Sequence, residues 1–273
     1  MLSATSLKII FGISIFIVIL IAGWYPFKKR ISDDKHIDLP IGETLATGVF
    51  LGAGLLHMLP ESNNLFKAMG YNYPFAFIIS GAVFLIFLWF EHLGKELYHH
   101  HGAEHHAHSS EPHNHCKEHH EHKAEHPAFA LLAWGMLSIH SLMLGAALGL
   151  AHYNSMIIML FLAIITHKWA ESFAIAVQLN KSSMSTNKSM LFFLLFSFMT
   201  PTGIYFGWYF GHGVETNSIF DPILLAASAG TFLYLGTLHG LERCVMVERC
   251  CNLRDFSYVI IGFLLMASVA IYV

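Results

Sequence analysis

The chain has 273 residues, 55% of them hydrophobic and only 12% charged, with a formal net charge of −3. Soluble domains carry roughly 25% charged residues, so water could not hide this much apolar surface, and the near-neutral balance offers no basic face for nucleic acid. The composition points to a lipid bilayer as the solvent.

A helix needs about 20 apolar residues to cross the hydrocarbon core. Eight segments reach or approach that length: Leu7 to Phe27, Ile41 to Glu61, Pro74 to Leu97, Phe129 to Ala151, Met156 to Gln178, Met190 to Phe210, Pro222 to Leu241, and Phe256 to Val273. The expected fold class is all-α, a polytopic membrane protein built as a bundle of eight transmembrane helices. It divides into helices one to three over 7–97, a loop over 98–127, and helices four to eight over 128–273. The first segment outlasts the roughly 7–15 residues of a signal-peptide core. No small-residue cleavage site follows it. Trp24-Tyr25-Pro26 with Lys28-Lys29-Arg30 reads instead as an interfacial anchor and stop.

In the second segment, Gly48, Gly52, Ala53 and Gly54 let neighbouring backbones approach closely. His57 and Glu61 follow as an i, i+4 pair. Either they serve a cation near one surface, or Glu61 is interfacial and His57 a buried structural histidine. The third segment ends in Glu91-His92 and Glu96. With His239 and Glu242 after the seventh segment, these are candidate exit ligands or solvated helix ends.

The loop over 98–127 holds twelve of the 20 histidines: His99, His100, His101, His105, His106, His108, His113, His115, His119, His120, His122 and His126. Glu104, Glu111, Glu118, Glu121, Glu125 and Cys116 are interleaved with them. Such a segment has nothing to build a core from and is expected to be disordered until it binds something. Imidazoles with carboxylates suit zinc and related first-row metals, but the fixed spacing of a closed structural site is missing. The two readings are weak multivalent, regulatory metal binding and a solvated linker.

The fourth and fifth segments carry polar groups about midway along: His140-Ser141 in one, His167-Lys168 and Glu171-Ser172 in the other. A charge at the bilayer centre costs about 2.5–3.5 kcal/mol on insertion scales, so such groups face a protein interior, a partner or an ion path. His167 and Glu171 are four apart and share a helix face. Each histidine lies about eleven residues into its span, which at about 1.5 Å per residue puts both near the midplane. Two helices are thus expected to offer three ligands, His140, His167 and Glu171, to one point.

Positive residues stay on the cytoplasmic side. With the N-terminus outside, twelve Lys and Arg fall on inner connections, only Lys8 and Lys67 lie outside, and Lys168 lies within a helix. Both termini are therefore expected to be extracytoplasmic. Cys116, Cys244, Cys250 and Cys251 then face a reducing compartment as free thiols, and Cys250-Cys251 could also be palmitoylated or bind metal.

Several of these runs carry a resemblance. Ala46 to Leu51 through His57-Met58-Leu59-Pro60-Glu61, His140-Ser141, His167-Lys168 with Glu171-Ser172, Pro201-x-Gly203-Ile204 and Ala229 to Tyr234 are together similar to the ZIP family of zinc and iron transporters. The histidine-rich loop between the third and fourth helices fits too. The resemblance implies a carrier, not an enzyme, moving a divalent cation toward the cytoplasm. Zn2+ is then the transported substrate and no prosthetic group is needed. It puts His57, His140, His167 and Glu171 on metal-binding positions and Glu61 at the entrance.

Two departures matter. Leu144 stands where many members have a carboxylate, and Lys168 where two-metal members are acidic. An ammonium there opposes a second dication, so its charge is expected to substitute for that ion and leave one metal site.

Partners are then divalent metal ions and the bilayer, with a homodimer left open. The plasma membrane is the expected location, an intracellular organelle the other. Metal binding needs neutral imidazole, so uptake is expected to weaken as pH falls through the histidine range. A membrane-embedded zinc hydrolase is the alternative from another class, with Glu171 as base; against it, no second carboxylate and no serine is expected to converge on Glu171. A nontransporting metal sensor using the histidine loop is the third reading.

Overall fold

The computed structural model describes residues 3–33, 39–102, 127–211, 219–238 and 253–271. Among them are ten α-helices: α1 Ala4–Asp33, α2 Pro40–Gly52, α3 Leu59–Ala68, α4 Phe75–Gly102, α5 Pro127–Leu150, α6 Asn154–Lys181, α7 Thr186–Ser197, α8 Met199–Phe210, α9 Phe220–Tyr234 and α10 Leu253–Val269. No β-strand occurs among the described residues. The expected all-α class is therefore observed.

Among the described residues, seven stretches are long and apolar enough to cross a membrane: Ala4–Arg30, Pro40–Ala68, Phe75–Gly94, Ala130–Leu150, Asn154–Lys181, Thr186–Phe210 and Phe220–Leu238. The eighth expected crossing corresponds to α10, whose 17 described residues rise about 26 Å against a hydrocarbon core of about 30 Å. α4 runs on to Gly102, so His99, His100 and His101 extend a helix already nucleated. The rest of the histidine loop, from His105 to His126, lies outside the described residues, as do His239, Glu242 and the four cysteines.

Two prolines explain the irregularities. Pro60 has no N–H to donate and its ring crowds the carbonyl four residues back. The chain accommodates it with a π turn, Ala53–Met58, between α2 and α3, in which the Leu59 N–H reaches the Gly54 carbonyl. His57 lies in that wider turn, a kind of bulge often found at functional sites. Pro201 likewise cannot bond the Ser197 carbonyl, and the sixth expected segment divides there into α7 and α8, with the Phe198 N–H turned to Leu195 O at 3.2 Å.

The polarity of the bundle is that of a protein in lipid. Ile13, Leu85, Phe210 and Leu264 are each more than half exposed, whereas His140, Ser141, Lys168 and Glu171 are fully buried. α1 packs on α6, α4 on α9, and α10 on α2.

Between α5 and α8 the backbones themselves touch. A Cβ added at Gly145 would lie 2.3 Å from Thr200 O, and one at Gly203 would lie 2.3 Å from Leu142 O. Gly149 and Gly207, one turn on, repeat the contact, giving each helix a small-x-x-x-small seam. That seam fixes α5, and with it His140.

Gly203→Val is expected to overpack the seam and cost about 1–3 kcal/mol, seen as a lower Tm of the detergent-solubilised protein. Gly135→Ala, where an added Cβ meets nothing within 4 Å, should leave the Tm unchanged; equal Tm values for both would remove the seam from the account.

Candidate metal centre

α5 and α6 meet at the polar positions that the sequence singles out. His140, His167 and Glu171 each bring a ligand atom to within 4.8 Å of the others. All three are buried, as befits polar side chains withdrawn from lipid. The i, i+4 spacing on α6 aligns His167 with Glu171, and the crossing of α5 supplies His140.

The hydrogen-bond inventory sets the state of His140. Thr231 on α9 has one hydroxyl proton, which it donates to Ser228 O at 2.6 Å. Its oxygen therefore accepts from His140 Nδ1, also at 2.6 Å. Nδ1 holds the proton, and Nε2 keeps the lone pair that a metal requires. Neither His140 Nε2 nor either ring nitrogen of His167 has a hydrogen-bond partner among the described residues. Buried polar nitrogens are normally satisfied, so open nitrogens on both rings, one from each within reach of Glu171, make this group a candidate ligand site.

Phe232 shapes the space between the rings. Its ring stacks on His140 at 3.8 Å and meets His167 edge-on at 5.1 Å. These apolar contacts limit the histidines to a narrow range of orientations and keep water out.

Lys168 does not stand unpaired. Its Nζ donates to Glu171 Oε2 at 2.8 Å and to Ser141 Oγ at 2.7 Å, and Ser141 donates in turn to Glu171 Oε1. The ammonium also lies 5.1 Å from the centre of the Phe196 ring, within cation–π range. Glu171 is thus gripped on both oxygens. A dication arriving here competes with Lys168 and Ser141 for the carboxylate.

Ser141 corrects one expectation, because a serine does converge on Glu171. Helical periodicity places residues on faces but does not say which face a neighbouring helix presents, and only the α5–α6 crossing brings Ser141 over. Its hydroxyl serves the ion pair.

Other candidates sit apart. His57 is half-buried in the π turn, outside the three-ligand group, and Glu61 lies one turn beyond it on α3, also half-buried. Glu91 on α4 accepts a hydrogen bond from the buried Tyr234 hydroxyl. His92 is exposed, with Nδ1 3.0 Å from Leu88 O on its own helix. Leu144 is buried at 3% exposure and supplies no oxygen.

Thr231 and Phe232 are the site residues that the sequence reading did not assign a role. A threonine next to an aromatic in an apolar helix carries no sign of what lies opposite it.

With this geometry in place, similarity to known proteins can be added. A family model described as ZIP zinc transporter matches residues 5–270. The chain is 28% identical over 286 aligned positions to "Zinc transporter ZIP2" of Mus musculus, an alignment covering 91% of this chain and 90% of that protein. It is 30% identical to "Zinc transporter ZIP2" of Homo sapiens over 54% of this chain and 48% of the relative. With "Protein zntD" of Dictyostelium discoideum it shares 34% identity over half of this chain and 20% of the larger protein.

Removing one partner of a buried ion pair strands the other charge. Lys168→Met is therefore expected to lower unfolding stability by about 3–5 kcal/mol. Lys168→Met with Glu171→Gln should recover a large part of that loss. Thermal unfolding of the purified variants tests this, and a double variant no more stable than Lys168→Met alone would contradict the pairing.

Proposed function

The chain belongs to the ZIP zinc transporter family, and from that premise we propose that it carries Zn2+ across a membrane into the cytoplasm through one intramembrane site formed by His140, His167 and Glu171. The observation carrying this reading is the open lone pair of His140 beside the unpartnered His167 and the Glu171 carboxylate, all buried at one point. Two imidazoles and a carboxylate are a zinc ligand set. The nitrogen content favours zinc over magnesium or calcium, which take oxygen ligands.

The proposed topology has eight crossings, with α10 the last and both termini extracytoplasmic. Lysine and arginine distribution supports it. An arriving ion meets Glu61 first, then His57, whose π turn is the irregular backbone that membrane helices tolerate only inside protein. It exchanges its remaining waters for the three buried ligands. Lys168 occupies the adjoining position and supplies the charge of a second ion, so one metal binds at a time. Release to the other side requires a second conformation that metal stabilises differently. The histidine loop is proposed to bind metal on the cytoplasmic side and to regulate, so the bundle transports without it.

Hydrolysis is the weaker reading. Ser141 donates its hydrogen bond to Glu171 and accepts one from Lys168, and all these side chains are fully buried. A hydrolytic centre needs an open coordination position and room for an organic substrate.

Proteoliposomes loaded with purified protein and given radioactive zinc should accumulate it faster than empty vesicles. His140→Ala, His167→Ala and Glu171→Ala should each abolish saturable uptake. Thr231→Val should weaken apparent affinity by roughly 10–100-fold, the usual cost of losing a residue that orients a ligand. Deleting 103–126 should preserve uptake if the bundle is the carrier. Wild-type protein no faster than empty vesicles would refute transport; three normal alanine variants would refute the site.

A further inference from the structure

A cavity begins about one helical turn from the metal centre, walled by α2, α5, α6 and the turn that follows α9. Its walls continue the faces that carry the centre. On α6, Ala174 and Gln178 follow Glu171 by three and seven residues. On α5, Leu137 precedes His140 by three, and Leu235 follows Phe232 by three. On α2, Phe50, Thr47 and Glu43 recede from His57 toward the start of the helix. Spacings of three, four and seven hold side chains on one helix face. α2 and α5 are followed backwards here, α6 and α9 forwards, and all four lead to the same end of the bundle. At about 1.5 Å per residue, Gln178 lies about 10 Å beyond Glu171.

An ion pair lies at that end. Lys181, three residues after Gln178, places its Nζ 2.7 Å from Glu43 Oε1 and 2.9 Å from Oε2. The two side chains are only 14% and 9% exposed, so water and salt screen the attraction weakly. The contact ties the first turn of α2 to the last residue of α6. Glu43 is the carboxylate on the cavity wall, and the wall residues Leu137 and Ala174 lie three residues from His140 and Glu171.

We propose that this cavity is the path by which metal leaves, that Glu43 is the last protein ligand along it, and that Lys181 is a latch holding Glu43 until a dication competes for it. The inference rests on the transport reading and on the topology that places this end in the cytoplasm. A dication at the same distance attracts a carboxylate with twice the Coulomb energy of an ammonium, and carboxylate oxygen is an ordinary zinc ligand. Displacing Lys181 removes one tie between the end of α6 and α2, coupling the ion's arrival to a loosening of the mouth. An empty carrier keeps the mouth shut.

A purely structural pin and a latch give different results. In proteoliposomes, Glu43→Gln should lower the maximal rate of zinc uptake about tenfold while the half-saturating external zinc stays within about twofold of wild type, the pattern of a late step. In protein whose four native cysteines are replaced by serine, Thr47→Cys reports access to the cavity. Its labelling by a membrane-impermeant maleimide from the cytoplasmic face should speed up when Lys181→Met is added and stay slow with Lys181→Arg, which keeps the pair. Gel filtration and Tm confirm that each variant is folded. Wild-type uptake with Glu43→Gln at an equal maximal rate would overturn the exit ligand, and labelling indifferent to Lys181 would overturn the latch. Absence of wild-type uptake would instead overturn the transport reading.

Discussion

Lys168 and Glu171 are three residues apart on α6, fully buried, and joined at 2.8 Å. Removing two charges from water costs several kcal/mol each, and their attraction repays this only with good geometry and further hydrogen bonds. Those bonds come from Ser141, which donates to one partner and accepts from the other. α5 must therefore approach α6 closely enough for a serine, the shortest hydroxyl side chain, to reach. The next turn of α5 is held in turn by α8, where Gly145, four residues after Ser141, and Gly203 lack the side chains that would hold the two helices apart. The glycine seam and the polar triad hold the same helix from adjoining faces.

A similar economy governs the histidines. α9 supplies both the hydroxyl that selects the tautomer of His140 and the aromatic ring that packs against both His140 and His167. Thr231 and Phe232 are adjacent, so a single helix contact fixes both. Close approach of α9 to α4 at Gly230, where an added Cβ would lie 2.4 Å from Ser80 O, sets the depth at which that pair enters the bundle. Orientation of the ligands thus depends on a backbone contact away from the site.

How much of this could be read from residues alone follows from the range of each interaction. His140, His167 and Glu171 were legible because charge and imidazole in the middle of an apolar run are costly, and the i, i+4 spacing needs only helix geometry. The π turn at His57 and the break before α8 follow from Pro60 and Pro201, also local signals. The role of Ser141 was not legible, since it depends on how two helices cross. Nor was the Glu43–Lys181 pair, whose members lie 138 residues apart and resemble the solvated helix ends found at any membrane surface. Helix periodicity names the face of each element; only the crossings say which faces meet.

The charge balance of the centre then bears on how it would work. With neutral imidazoles, the Lys168 ammonium and the Glu171 carboxylate cancel, so the empty group is neutral and stable in a low dielectric. A dication adds two positive charges, and Leu144 offers no second carboxylate to offset them. The bound state therefore carries uncompensated charge in a buried place, which raises its energy relative to an aqueous ion. For a storage protein that would be a defect. A carrier has to let go, and under the proposed mechanism a site that would bind through two open imidazoles while repelling the ion through a neighbouring ammonium would hold it briefly. The nearest carboxylate on the walls of the cavity about one helical turn away is Glu43, and it offers what the centre lacks: negative charge that an ion can reach by moving on.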